Sequence, residues 1–187
     1  MKDKSEVFSV FRTFHKMICT LFGATIKIFR SDNGGEYIDS GLGLYFSTHG
    51  IIHQTSCTNT PQQNGVAERK NRHLLDMARC MCFFMNVPRL YWGDAVLTAA
   101  HLINRLPTQV LDKKAPLHVL LGSPSLFSIP PKIIGCGCFV HNHSPSRGKL
   151  DPRSLKCGFL GFSPTQKVYK CYHPPSRKWF VSMDVTF

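Results

Sequence analysis

Apolar side chains recur every three or four positions near the start of the chain: Val7, Val10, Phe11, Phe14, Met17, Ile18 and Leu21. That period predicts an amphipathic helix over residues 4–22, with Gly23 able to take the left-handed conformation that ends one. Residues 26–29 (Ile-Lys-Ile-Phe) form a short β-branched run, closed by the turn cluster Asp32-Asn33-Gly34-Gly35. Asp39 or Ser40 can cap a short helix through Thr48, although Gly41 and Gly43 weaken it. Residues 51–54 predict a second strand, and the polar, aperiodic stretch 55–65 predicts a loop. Helical periodicity returns over 66–85, with Ala67, Leu74, Ala78, Met81 and Met85 on the face expected to be buried. Glu68 lies on the border of that stripe, with Arg72 and Arg79 further along the same edge. Asn86-Val87-Pro88 ends the helix. A broad apolar helix follows from Tyr91 or Trp92 to Leu106, and Pro116 to Leu121 add another turn or two.

The pattern changes near Gly122. Residues 123–132, with Pro124, Pro130 and Pro131, read as a linker, and short strands are expected over 133–140, 155–162, 168–172 and 178–187. The last is the clearest, Trp179, Val181, Met183, Val185 and Phe187 alternating with Phe180, Ser182, Asp184 and Thr186. Four or five short strands in so few residues suggest a small barrel or sandwich. The expected division is therefore an α/β part over 1–122, a linker over 123–132 and an all-β part over 133–187.

Composition adds a partner class. The 187 residues are 43% hydrophobic and 18% charged, a globular balance, and carry a net charge of +12. Residues 1–125 hold 14 Lys/Arg against 9 Asp/Glu, and residues 126–187 hold 9 against 2. Such a surface favours a polyanion through counterion release. No apolar run approaches a bilayer span and the N-terminus lacks a secretion-type apolar core, so an intracellular protein with free thiols is expected. Cys136-Gly-Cys138-Phe-Val-His141-Asn-His143 invites a zinc reading. Its Cys-x-Cys spacing is too short for a structural site, however, and alternation puts Cys136, Cys138 and Val140 on one strand face.

Two acids carry the candidate chemistry. Asp32 follows the first strand, where an α/β unit binds ligands, and Glu68 opens the long helix. Carboxylates that hold Mg²⁺ for phosphodiester chemistry converge from separate elements of these kinds. Locally, Asp32 also reads as a turn former, and Glu68 as an i,i+4 partner of Arg72.

The flanking residues narrow the choice. Arg30-Ser-Asp-Asn-Gly-Gly-Glu-Tyr37, His49-Gly-Ile-Ile-His-Gln54 and Thr60-Pro-Gln-Gln-Asn-Gly-Val-Ala-Glu-Arg-Lys-Asn-Arg72 resemble the integrase of copia-type LTR retrotransposons. Asn86-Val-Pro88, Trp92-Gly-Asp-Ala-Val96, Ile103-Asn-Arg-Leu-Pro107, Leu150-Asp-Pro-Arg153 and Phe159-Leu-Gly-Phe162 extend the resemblance over the whole chain. It implies an RNase H-like α/β integrase core followed by an SH3-like barrel, and metal-dependent strand transfer with Mg²⁺ or Mn²⁺. It further implies DNA as partner, a possible homo-oligomer and a nuclear location. Asp32 and Glu68 match the second and third acids of the family's D-D-E triad. Gln62, Gln63, Asn64, Lys70, Arg72 and Arg79, around Glu68, are the expected DNA contacts.

The resemblance also sets an expectation of incompleteness. The first triad acid belongs to a strand ahead of the first helix, and this chain matches from the segment after it. Asp3, at the entry to a helix, is no substitute. Strand transfer is therefore expected to be lost, and the apolar faces of the first helix and first strand to lie uncovered. The alternative is a non-enzymatic nucleic-acid-binding module.

Overall fold

A computed structural model describes residues 3–57, 61–122, 129–143, 148–163 and 166–187, the side chains of Pro61 and Gln62 excepted. The chain divides into two compact units, Met1–Lys70 and Asn71–Phe187.

In the first unit, a 3-10 turn (Lys4–Glu6) capped by Asp3 leads into α1 (Val7–Phe22). Gly23 ends α1 at φ 58°, its N–H reaching the Cys19 carbonyl, as its position after the apolar stripe leads one to expect. β1 (Ile28–Ser31), α2 (Ser40–Thr48) and β2 (Ile52–Thr55) form a β-α-β unit, the two strands pairing in parallel from Ile28↔Ile52 to Ser31↔Thr55. Asp39 caps α2 through the Gly41 N–H at 3.0 Å. Both strands lie one or two residues later than the apolar runs suggest. Phe11, Leu42, Phe46 and Ile51 form the core, with Phe11 edge-on to Phe29 at 5.0 Å and to Phe46 at 5.2 Å. The covered stripe of α1 is Val7, Phe11 and His15, and His15 stays inside because its Nδ1 meets the Tyr45 hydroxyl at 3.0 Å. Val10, Phe14, Met17 and Leu21 are exposed, as are Ile28 and Ile52 on the outer face of the strand pair.

α3 (Gly65–Phe84) begins in the first unit and continues in the second. Ala78 and Met81 are buried as the periodicity requires, but Ala67 is exposed. α4 (Trp92–Ile103) and α5 (Pro116–Leu121) follow. Five strands then form an antiparallel sheet: β3 (Gly137–His141), β4 (Ser154–Phe162), β5 (Tyr169–His173), β6 (Lys178–Ser182) and β7 (Val185–Thr186), in the order β6-β5-β4-β3-β7. The expected single strand over 178–187 is thus two. The chain kinks at Met183-Asp184, where Val185 N–H bonds the Met183 carbonyl and Asp184 N–H bonds Ser182 Oγ. β6 and β7 thereby pair with opposite edges of one sheet, which curls it toward closure.

The sheet's inner cluster is Ile129, Cys138, Val140, Cys157, Phe159, Tyr169 and Cys171. Cys138 and Cys171 touch, sulfur to sulfur, at 3.5 Å. They lie on β3 and β5, which flank β4, so their backbones are separated by about 9.5 Å of strand spacing. A disulfide needs Cα atoms about 4.4–6.8 Å apart, and thiol contact without a bond is the arrangement that fits. Burial and Cys138 push the neighbouring Cys157 thiol up to about 11. These cysteines act as small apolar side chains, and among the described residues no group of three His, Cys, Asp or Glu side chains could hold a metal.

The helices and strands of this unit share a second core: Ala78, Met81, Val87, Ala95 and Ala99 pack with Ile134 and Leu160. Lys170 Nζ donates to Asp94 Oδ1 at 2.7 Å while lying 4.3 Å over the Trp179 ring, tying β5 and β6 to the start of α4. Further along α4, His101 stacks on Phe162 at 3.8 Å, and among the described residues its Nε2 is buried without a hydrogen-bond partner. Burial, with the Arg105 charge adding to it, holds His101 down at about 4 against an ordinary 6.5. The unfolded chain therefore binds a proton that the folded one refuses between these values. This contribution to stability is intact above pH 6.5 and is lost as pH falls from 6.5 to 4. Urea midpoints should drop from pH 7 to pH 5, and His101→Phe, which keeps the stack and removes the titration, should flatten part of that drop.

Candidate functional site

The C-terminal ends of β1 and β2 carry the polar groups of the first unit. Ser31 is buried and points inward with Phe29, its Oγ donating to the Asp32 carbonyl at 2.8 Å and meeting His53 Nε2 at 2.8 Å. A hydroxyl has one proton to give, so a proton on His53 Nε2 satisfies both contacts. Ser56 N–H bonds the Ser31 carbonyl at 3.1 Å, and Asn33 Nδ2 bonds the Ser56 carbonyl at 2.9 Å. These bonds fix the backbone on both sides of Asp32.

Asp32 is exposed just beyond β1, its Oδ1 accepting the Gly34 N–H at 3.1 Å. The carboxylate that the fold brings beside it is Glu36. A Cβ added to Gly34 would stand 3.0 Å from Glu36 Oε2 and 3.1 Å from Asp32 Oδ1. Glu36 pairs with Lys4 Nζ at 3.1 Å, and hydrogen bonds from its own backbone N–H and from Lys4 hold it below the ordinary carboxylate range. Sequence reasoning missed Glu36 as a neighbour of the site. The signal was its place in the same Asp-Asn-Gly-Gly-Glu turn, where two glycines fold the chain back on itself.

Glu68 is exposed in the first turn of α3, and no described contact joins it to Asp32 or to Arg72. Arg79 pairs with Asp76 at 3.1 Å. Lys70 and Arg72 are exposed. Of the three polar residues ahead of α3, Gln63 braces the segment after β2, its Oε1 accepting the Cys57 N–H at 2.8 Å. Asn64 is half-buried in the same 3-10 turn, and the Gln62 side chain is outside the described residues. A two-metal clamp needs carboxylates converging from several elements. Since no three-ligand group occurs among the described residues, the side chains present do not by themselves fit a Mg²⁺ or Mn²⁺ pair.

Over its full length the chain is 39% identical to the retrovirus-related Pol polyprotein from transposon RE1 of Arabidopsis thaliana, and 39% identical to that from transposon TNT 1-94 of Nicotiana tabacum. It is a homologue, end to end, of part of the copia-type retrovirus-related Pol polyproteins. It spans 13% and 14% of those two polyproteins. Residues 136–187 match the retroviral polymerase SH3-like domain, which covers β3 to β7. The whole chain also matches 64% of a chain in the cryo-EM structure of the simian T-cell lymphotropic virus intasome in complex with PP2A regulatory subunit B56 gamma. With a TM-score of 0.52 and 20% identity, that likeness is one of fold. An α/β part followed by a sheet that matches the SH3-like domain thus agrees with the reading of the sequence. Among the described residues no helix is long and apolar enough to cross a membrane.

Proposed function

We propose that this chain takes part in DNA integration, as the DNA-facing portion of an integrase of the retrotransposon Pol type. Asp32 and Glu68 are its second and third triad acids. The observation that carries the reading is the pairing of the whole-length homology with two acids at functional positions: one at the C-terminal end of a parallel strand, the other in the first turn of a helix. The RNase H-like character of the 1–122 part, the 123–132 linker and a nuclear location belong to the same proposal. So do DNA contacts from Gln62, Gln63, Asn64, Lys70, Arg72 and Arg79, and assembly with further copies.

Two acids do not complete the ligand set for two divalent ions, so strand transfer by residues 1–187 alone is not expected. Incubated with Mn²⁺ and end-processed duplex DNA, the chain should yield no joined product. Joining that disappears in Glu68→Gln would overturn this part of the proposal. The alternative, a binding module without chemistry, draws on the +12 charge. It predicts DNA affinity that falls steeply with salt and is untouched by Asp32→Asn with Glu68→Gln.

A further inference from the structure

At the C-terminal end of the strand pair lies a cavity of about 500 Å³ lined by Arg30, Gln54, Thr55, Ser56 and Gln63. Strand alternation sets its charged wall. Phe29, Ser31 and His53 turn inward, so Arg30 and its register partner Gln54 share the outer face. Gln54 Oε1 accepts from Arg30 Nη2 at 2.8 Å and from Nε at 3.3 Å, which fixes the guanidinium plane on an exposed strand. An arginine has five N–H donors, and this contact engages two. The amide oxygens are spent as well, Gln54 Oε1 on Arg30 and Gln63 Oε1 on the Cys57 N–H, so each side chain keeps its NH₂ as a donor. Among the described residues, no carboxylate lines the cavity.

A positive, donor-rich and acceptor-poor cavity suits an anion with several oxygens. We infer that this cavity is a phosphate pocket, with Arg30 the charged contact and Gln54 and Gln63 the flanking donors, and that it takes a backbone phosphate of DNA. Arg30 precedes Asp32 by two residues, about 7 Å of extended chain. The DNA assignment rests on the function proposed above. The phosphate chemistry stands on the pocket itself.

Binding of a fluorescein-labelled 30-mer duplex to the full chain, followed by anisotropy from 50 to 200 mM salt, tests the inference. Arg30→Gln should weaken binding at 50 mM by about 5–10-fold and lower the salt slope by about one. Gln54→Glu, which keeps the side-chain shape, should weaken it at least as much, because its carboxylate neutralises Arg30 and repels phosphate. Near-UV circular dichroism checks that both variants fold. If the parent chain binds and both variants match it in affinity and slope, the pocket is refuted while DNA binding stands. If the parent chain does not bind DNA at 50 mM salt, the DNA reading fails, and inorganic phosphate is titrated against ¹⁵N-labelled protein. Shifts at the Arg30, Gln54 and Gln63 side-chain N–H signals, lost in Arg30→Gln, support a free-phosphate pocket, and their absence overturns the inference.

Discussion

Phe159→Ala should lower the unfolding free energy of the 71–187 unit by about 3–5 kcal/mol, read as a shift of the urea midpoint at unchanged slope. Phe159 has no exposed surface, and its ring meets Phe162 at 5.2 Å, Phe187 at 5.6 Å and Tyr169 at 5.7 Å. Removing the ring takes away its burial and leaves a hole that three strands and the chain end cannot close together. Domains of ordinary stability hold about 5–15 kcal/mol, so the variant should be marginal near 37 °C. Phe139→Ala removes the same atoms from a position 46% exposed on β3. A loss below about 1 kcal/mol there would tie the large effect to packing at Phe159 rather than to ring removal. Comparable losses at the two positions would refute the core assignment.

Gly135→Ala should cost about 2–4 kcal/mol through a different cause. Gly135 adopts φ 89°, which L side chains rarely take, and its N–H is committed to the Phe159 carbonyl at 2.7 Å. A Cβ there would stand 2.6 Å from Val87 Cγ2 and 2.7 Å from Met85 Cβ. The Met85 atom sits at the root of its side chain, so relief requires backbone motion between α3 and α4. Gly137 has open space around a Cβ and no positive φ. Gly137→Ala should therefore be neutral or slightly stabilising, since alanine loses less chain entropy on folding. Denaturation of the two variants side by side is the check, and equal stabilities would argue against the close approach at Gly135.

Elements whose signal is local were legible in the sequence. The 3.6-residue period of α1, the Asp39 cap and the Gly23 stop all act within a few residues of where they are written. The covered stripe of α1 was not, because periodicity reports which side chains favour burial, and the coverage of Val10, Phe14, Met17 and Leu21 depends on what else lies nearby. His15 entered the core on the strength of a Tyr45 hydroxyl 30 positions away. The kink at Met183-Asp184 has no glycine or proline to mark it, and is made by pairing with strands far upstream.

The site divides in the same way. Asp32 and Glu68 are proposed from the residues around them. Glu36 was overlooked because its role depends on the turn at Gly34 and on Lys4, and Arg30 because its partner Gln54 comes from the adjacent strand, 24 positions on. Long-range pairing makes these neighbours, and one-dimensional spacing does not encode it.

β7 pairs with β3 through Phe139↔Thr186 and Val140↔Val185. During synthesis β3, β4, β5 and β6 can pair as each emerges, while the far edge of β3 stays open until Thr186 has left the ribosome. For that interval the nascent chain carries a bare strand edge, and the arrival of β7 decides when the exposure ends.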